Sequence, residues 1–263
     1  MERPLETEWR GGEDYESSCV PAMFGPLAER LLDAAVLLAG ERVLDIACGT
    51  GVVARAAVRR GAAAVTGVDR NGAMLGVARR TTPEATFVEA DAAALPLPDG
   101  AFDLATCQQG LQFFPDRTGA LREFRRVLDP DGRAALALWP AIETHPGFAM
   151  LADALGRIVG PEAEAVMRAP YALADAADVE AFGRSAGFGS VVLEQVDGEF
   201  RWPSCDAFVR GYGAGSMLRP VLERAPAGAV DRTVDAVADA LGVTPTGEAV
   251  AFPQRCNLFL LRP

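Results

Sequence analysis

Two glycines and one aspartate in the first third of the chain have the spacing of a nucleotide-binding site. Gly49, Gly51 and Ala54 match the pattern G-x-G-x-x-A, which lets a strand turn sharply into a helix against a bound nucleotide. Asp69 follows about 20 residues later, where a carboxylate can accept hydrogen bonds from ribose hydroxyls. The pattern predicts a nucleotide cofactor without specifying which one, and a nicotinamide-dependent oxidoreductase would use it equally well.

The same segment also has a purely structural interpretation. A glycine pair after a strand permits a tight turn, and Asp45 is placed to cap the helix that follows. The surrounding elements and motifs therefore have to decide between the two interpretations.

Strands and helices alternate through the first half of the chain. Apolar positions between residues 24 and 39 recur at helical spacing, and a buried strand is predicted at 43–47, just before the glycines. Alternation of strand and helix indicates a parallel sheet covered on both faces. The further predicted strands are 64–68, 86–89, 102–107 and 133–139, and the further predicted helices are 52–60, 72–80 and 121–128.

The second half of the chain adds a helix at 175–186 with Asp175 as its N-cap, a strand at 191–196, a helical segment at 203–241 and a terminal strand at 257–261. We therefore predict an α/β fold, a doubly wound and mostly parallel seven-stranded Rossmann-like sheet with a helical lid or insertion. The expected parts are an N-terminal helical lid (1–40), a cofactor-binding core (41–139), a helical insertion or substrate lid (140–174) and the C-terminal part of the sheet with a helical substrate-binding segment (175–263).

Composition narrows the class of partner. The 263 residues carry 36 acidic and 25 basic side chains, and the net charge of -11 disfavours nucleic acid, because binding to phosphates needs Lys and Arg. No apolar stretch is long enough to span a membrane, and the charged start of the chain is unlike a secretory signal. The five cysteines are scattered and never form C-x-x-C, so we expect free thiols, no metal site and a cytoplasmic protein. A small-molecule substrate is expected, and both a monomer and a homodimer stay open.

Four segments, taken in order, resemble the motifs of one enzyme family. They are VLDIACGTG at 43–51, GVD at 67–69 with Met74-Leu75 behind it, EADA at 89–92 with Leu95-Pro96, and FDL at 102–104. In this order and spacing, residues 41–139 resemble the class I S-adenosylmethionine (SAM)-dependent methyltransferases, most of all the subgroup that includes ubiquinone, menaquinone and natural-product methyltransferases. The resemblance implies SAM as the cofactor and transfer of its methyl group to a small molecule.

The resemblance also implies which residues hold SAM. Gly49 and Gly51 would let the backbone approach the methionine portion, and Asp69 would accept from the ribose hydroxyls. Asp91 would accept from the adenine amino group while the backbone N–H of Ala92 donates to the ring. Arg70 and Met74 would lie at the adenine, and the backbone of Gln108 would contact the amino end of the cofactor. The full set of implied cofactor residues is Asp45, Ala47, Gly49, Gly51, Asp69, Arg70, Met74, Asp91, Ala92 and Gln108.

Methyl transfer is an in-line displacement at a carbon that the sulfonium already activates, so the protein chiefly has to hold the acceptor and the methyl group in line, and it needs no metal. His145, the only histidine, follows the fifth predicted strand and is our candidate for a general base. The loop 108–115 holds amides and aromatics but neither His nor Asp, which argues against a base on this loop. The residues expected to contact the acceptor are Tyr15, Phe24, Gln112, Phe113 and Trp139, with Trp9 beside them at an aromatic entrance.

Three other functions stay open at this point. The first is a SAM-fold enzyme with a non-methylating reaction such as cyclisation, which sequence does not exclude. The second is a nicotinamide-dependent oxidoreductase, although the chain has no lysine for a Tyr and Lys acid-base pair. The third is a non-catalytic binding protein, but decay of an enzyme would be expected to erode the glycines or Asp69, and both are present.

Overall fold

The structure, a computed structural model, describes residues 11–263, so the prediction for Trp9 lies outside the described residues. The chain divides into two compact units. The first, the sheet unit, consists of residues 25–140, 173–196 and 256–263. The second, the helical unit, consists of the described residues up to 24 together with 141–172 and 197–255.

A seven-stranded sheet has the strand order β3-β2-β1-β4-β5-β7-β6. The pairs β1–β2, β2–β3, β1–β4 and β4–β5 are parallel, and β5 pairs with β7 antiparallel, with Leu136 opposite Phe259. The predicted doubly wound, mostly parallel seven-stranded sheet is therefore confirmed. The strands are β1 Arg42–Ile46, β2 Ala64–Asp69, β3 Thr86–Glu89, β4 Phe102–Gln108, β5 Leu128–Leu138, β6 Ser190–Trp202 and β7 Val250–Arg262.

The last two strands are longer than predicted. Residues 197–202 extend β6 and residues 250–256 extend β7 beyond the predicted segments. Residues 129–132 interrupt the pairing of β4 with β5, because Phe102 pairs with Leu128 and Leu104 pairs with Arg133.

Side-chain caps fix where several helices of the sheet unit begin. Asn71 accepts hydrogen bonds from the backbone N–H groups of Ala73 and Met74, and Asp116 accepts from that of Gly119. The carboxylate of Asp175 accepts from the Ala177 N–H, as predicted for an N-cap. The helices of this unit are α2 Gly25–Ala34, α3 Val52–Arg59, α4 Gly72–Thr81, α5 Arg117–Val127 and α8 Ala176–Ser185.

The helical unit is held together by aromatic packing. The ring of Phe148 lies 4.9 Å from that of Phe200, 5.2 Å from that of Phe208 and 5.1 Å from that of Tyr212, all edge to face. Its helices are α1 Gly12–Asp14, the helical segment Tyr15–Phe24, α6 Pro146–Ile158, α7 Pro161–Arg168, α9 Cys205–Gly215, α10 Arg219–Glu223 and α11 Ala229–Leu241. Within residues 11–263, no helix is long and apolar enough to cross a membrane.

Candidate cofactor site

The loop between β1 and α3 contains three residues in the left-handed backbone region. Ala47, Gly49 and Gly51 have φ angles of 56°, 56° and 81°. The Gly51 N–H donates to the Cys48 carbonyl at 2.8 Å and closes the turn. A Cβ on Gly51 would lie 3.2 Å from the ring of Phe87, so close packing as well as the φ angle favours glycine here.

Asp69, the last residue of β2, ties this loop to the next one. Its Oδ2 accepts from the Gly49 N–H and its Oδ1 accepts from the Asn71 N–H, both at 2.8 Å. Burial raises the pKa of the carboxyl, and the backbone hydrogen bonds act in the opposite direction. Each carboxylate oxygen keeps a further lone pair, so the group can hold two backbone N–H groups and still accept from a ligand.

Asp45 makes its hydrogen bonds inside the protein. Its side chain is fully buried in β1, where Oδ2 accepts from the Ala54 N–H at 3.1 Å and Oδ1 accepts from the Thr106 hydroxyl at 3.0 Å. Ala54 is the third residue of α3, so its N–H is one that has no partner within the helix. Burial raises the pKa of Asp45 to about 7. These contacts agree with the interpretation of Asp45 as a residue that caps α3.

The other predicted cofactor residues also follow the central strands. Met74 is buried in α4, Arg70 and Ala92 are partly buried, and Gln108, the last residue of β4, is nearly buried. Asp91 is exposed after β3, and its Oδ1 accepts from the Ala93 N–H at 2.8 Å.

These residues lie at one edge of the sheet. The carboxyl ends of neighbouring parallel strands lie at the same edge, and the order β3-β2-β1-β4 reverses direction between β1 and β4. In open α/β sheets this reversal is where ligands bind. The sequence-predicted residues for a nucleotide are thus brought to the edge where a nucleotide is expected.

The predicted acceptor residues are divided between the two units. Gln112 and Phe113 form the short helical turn Leu111–Phe113 after β4, and the buried Trp139 follows β5; all three belong to the sheet unit. Tyr15 and Phe24 belong to the helical unit, where their rings stack with centroids 5.1 Å apart.

His145 lies in the helical unit and has no exposed surface. Its Nε2 is 2.9 Å from the Arg255 carbonyl oxygen and 3.2 Å from the Arg255 N, and its Nδ1 is 3.2 Å from the Thr144 hydroxyl. The rings of Tyr171 and Phe200 lie 5.3 and 5.6 Å away. Burial lowers the pKa of His145 to about 4, so the imidazole is neutral at neutral pH. Its role as a general base stays a prediction, and its contacts are those of a histidine packed in a core.

Sequence reasoning missed several polar residues around the loop. Asn71 carried a signal, because an asparagine directly before a helix is a common N-cap. Thr106 and Gln109 carried none, since their partners Asp45 and Cys256 are distant in sequence. The five cysteines are free and buried. Within residues 11–263, no group of three or more His, Cys, Asp or Glu could hold a metal ion.

The sheet order and the glycine loop define a Rossmann-like protein with a nucleotide cofactor site, and comparison with known proteins narrows this class. A family described as a methyltransferase domain matches residues 44–136. The demethylmenaquinone methyltransferase of Thermus thermophilus is 44% identical over 116 residues, which is 42% of this chain and 53% of that protein. A ubiquinone biosynthesis O-methyltransferase of Pseudomonas aeruginosa is 36% identical over 131 residues, 47% of this chain and 56% of that protein. The chain thus spans about half the length of the curated relatives that it matches.

The fold is similar to that of the YcgJ protein of Bacillus subtilis, with a TM-score of 0.58 and 21% identity, covering 89% of this chain and 97% of that chain. At this identity the likeness shows the fold alone. Residues 44–136 are thus similar to a methyltransferase domain, and both curated relatives are named methyltransferases.

Proposed function

We propose that this chain is an enzyme that transfers a methyl group from SAM to a small-molecule acceptor. The observation that carries the proposal is Asp69, whose two oxygens hold the Gly49 and Asn71 N–H groups at the end of β2. A carboxylate fixed in this way is preorganised to accept from two vicinal hydroxyls of a ribose. The methyltransferase domain match over residues 44–136 supports SAM, and not NAD, as the nucleotide.

The residues along the sheet edge would hold SAM in parts. The loop of Gly49 and Gly51 brings backbone N–H groups close to the methionine portion, and Asp69 takes the ribose. Asp91, exposed after β3, accepts from the adenine amino group, and Ala92 donates its N–H to the ring. Arg70 and Met74 flank the adenine, and Gln108 offers its backbone to the amino end. When bound, SAM supplies a methyl group activated by the sulfonium.

Asp45 acts on this site through the loop. Its carboxylate accepts from the Ala54 N–H of α3 and from Thr106 of β4, so it ties the first turn of α3, which directly follows the loop, to β4. We propose that Asp45 positions Gly49 and Gly51, and that any contribution of Asp45 to cofactor affinity comes through this geometry.

The acceptor that fits best is a hydroxylated aromatic molecule of the quinol type. The two curated relatives are named for demethylmenaquinone and ubiquinone biosynthesis, which supports a biosynthetic role and this acceptor class. Phe113 and Trp139 of the sheet unit supply aromatic surface for it. Segments 1–40 and 140–174 are proposed to serve as lids, and segment 203–241 is proposed to bind the acceptor. The five free cysteines fit a cytoplasmic enzyme.

His145 is proposed to stabilise the helical unit and not to act on the acceptor. Its ring nitrogens face Thr144 and the backbone of Arg255, and its neutral form is favoured by burial. Catalysis then rests chiefly on holding the acceptor and the methyl group in line with water excluded.

The test is transfer of isotopically labelled methyl from SAM to a panel of phenols and quinols, read by mass spectrometry. The wild type should form labelled product and S-adenosylhomocysteine (SAH) in equal amounts. Asp69→Asn should lose most of this turnover at limiting SAM, while Asp33→Asn, an exposed aspartate paired with Arg60, should not. Consumption of a substrate without formation of SAH would instead support a non-methylating reaction, and oxidation of a substrate with NAD would support an oxidoreductase.

A further inference from the structure

A short chain of side-chain hydrogen bonds follows β4 in the sheet unit. Gln112 Nε2 donates to Gln109 Oε1 at 3.1 Å, and Gln109 Nε2 donates to the Cys256 sulfur at 3.9 Å. The Cys256 thiol lies 3.4 Å from the Leu138 carbonyl oxygen and 3.7 Å from that of Asn257. We call Cys256, Gln109 and Gln112 the relay.

The polarity of the relay is fixed at its Cys256 end. Both oxygens near the thiol belong to backbone carbonyls, which can only accept. The S–H group therefore donates its hydrogen bond to one of these two carbonyls. Burial raises the pKa of Cys256, so the thiol keeps its proton at neutral pH. The sulfur is then free to accept from the Gln109 amide N–H.

The thiol also sets the donor-to-acceptor direction of the next hydrogen bonds. Because Gln109 directs its N–H group at sulfur, its Oε1 faces Gln112 and accepts from the Gln112 amide N–H. Gln112 must therefore present its own Oε1 at the far end. Its main chain is held as well, since Arg117 donates to the Gln112 carbonyl at 2.9 Å.

The oxygen at the end of the relay lacks a donor. Gln112 is 4% exposed, and among residues 11–263 no donor lies within hydrogen-bond distance of its Oε1. A buried acceptor without a donor is costly, and in native proteins it commonly marks a place where another molecule completes the contact. Gly110, between the two glutamines, packs so closely against the cofactor loop that its Cβ would lie 2.6 Å from that of Ala47. The loop that carries the two glutamines thus packs against the proposed SAM site.

We propose that Gln112 Oε1 accepts a hydrogen bond from an O–H or N–H group of a bound ligand, and that the relay makes this position selective for ligands with a donor. The proposal rests on the proposed function. The donor has two possible sources with the same chemistry, the ammonium group of SAM and the hydroxyl of the methyl acceptor. The direction of the relay favours this orientation of the amide over the reverse one, which would select for a ligand acceptor.

The test uses Gln112→Met, which keeps the length of the side chain and removes the acceptor oxygen. Calorimetry measures the affinity for SAH, and then, at saturating SAH, the affinities for 2-naphthol and for its methyl ether, 2-methoxynaphthalene. The matched control is Gln195→Met, because Gln195 lies in the same unit and likewise donates its amide to a side-chain oxygen, that of Asn257 at 2.9 Å. Thermal denaturation checks that each variant is folded.

If the donor belongs to the cofactor, Gln112→Met weakens SAH binding by about 10-fold and Gln195→Met does not. If it belongs to the acceptor, SAH binding is unchanged and the wild-type preference for naphthol over its ether, expected to be about 10-fold, disappears in Gln112→Met. Either result supports the proposal. Unchanged SAH affinity together with the same naphthol-to-ether ratio in both proteins, including no binding of either, overturns it. Failure of the wild type to bind SAH would instead contradict the proposed function.

A second pair of variants tests the direction of the relay. Cys256→Ser keeps a donor and an acceptor at this position and should retain the wild-type selectivity, whereas Cys256→Ala removes the group that orients Gln109 and should reduce it by several-fold. Equal selectivity in the two Cys256 variants would contradict the relay.

Discussion

Lowering the pH is expected to leave the His145 side chain uncharged until about pH 4, far below the range in which histidine usually gains a proton. The imidazole has no exposed surface, and the rings of Tyr171 and Phe200 lie beside it. The guanidinium of Arg255 also lowers the pKa of His145. A charged imidazole would lose its hydration in this buried environment.

The effect on stability follows from this shift. The pKa falls from 6.5 in the unfolded chain to about 4 in the folded one, so the unfolded chain binds the proton more tightly. The contribution of His145 to the free energy of unfolding is therefore fully present above the unfolded value and is lost as the pH falls toward the folded one. A shift of this size corresponds to about 3 kcal/mol over the whole interval.

The assay is a pH titration of the imidazole signals by NMR in untagged protein. His145 is the only histidine of the chain, so its resonances need no assignment by mutation. We expect the folded protein to show no change in these signals between about pH 8 and about pH 5, and the urea-unfolded protein to titrate near about pH 6.5. A folded-state transition between about pH 6 and about pH 7 would refute the buried, structural placement of His145 and restore it as a candidate base.

Two further predictions concern the packing and charge around the cofactor loop. Gly67→Ala should lower the free energy of unfolding by about 1 to 3 kcal/mol, because the new Cβ would lie 2.6 Å from the ring of Phe87. The control is Gly76→Ala, in helix α4, whose new Cβ would lie 3.8 Å from its nearest atom and should leave the free energy of unfolding unchanged or slightly raised. Urea denaturation measures both variants, and equal losses of stability would contradict the prediction. Asp45→Asn should flatten the pH dependence of stability. The folded pKa of Asp45, about 7, exceeds the ordinary value of 3.8, so the wild type gains stability as the pH falls below about 7. The amide of the variant binds no proton in this range and gains none of this stability. Parallel slopes for wild type and Asp45→Asn in denaturation between about pH 8 and about pH 6 would contradict the buried placement of this carboxyl.

The sequence predicts the central part of the sheet well because each signal there is local. The glycine loop, the buried strand before it and the helix after it lie within residues 42–59, and the same unit repeats along the chain. The lengths of β6 and β7 were underestimated for different reasons. In β7, residues 250–256 alternate between buried and exposed as a strand should, but Pro253 is a residue that normally argues against a strand interior. In β6, the missed residues 197–202 include Gly198, a residue that normally argues against a strand interior, although Phe200 and Trp202 are buried.

Residues of the candidate site also differ in whether local sequence could predict them. Asp69 was predicted because its position at the end of a strand is a sequence property. The contacts of Asp45 with Thr106, and of Gln109 with Cys256, join residues that only the folded sheet brings together. His145 shows the converse, because the uniqueness of a residue type carries no information about burial.

The central claim, that the edge of the sheet unit is a SAM site organised by Asp69, is tested most directly by calorimetric titration of the purified chain with SAM and with NAD. We expect SAM to bind at one site per chain and NAD not to bind. In Asp69→Asn, SAM should bind about 1 to 3 kcal/mol more weakly, the usual scale for losing a hydrogen bond to a charged group, while Asp33→Asn binds like the wild type. Binding of NAD instead of SAM, or unchanged SAM affinity in a folded Asp69→Asn, would contradict a SAM site organised by Asp69.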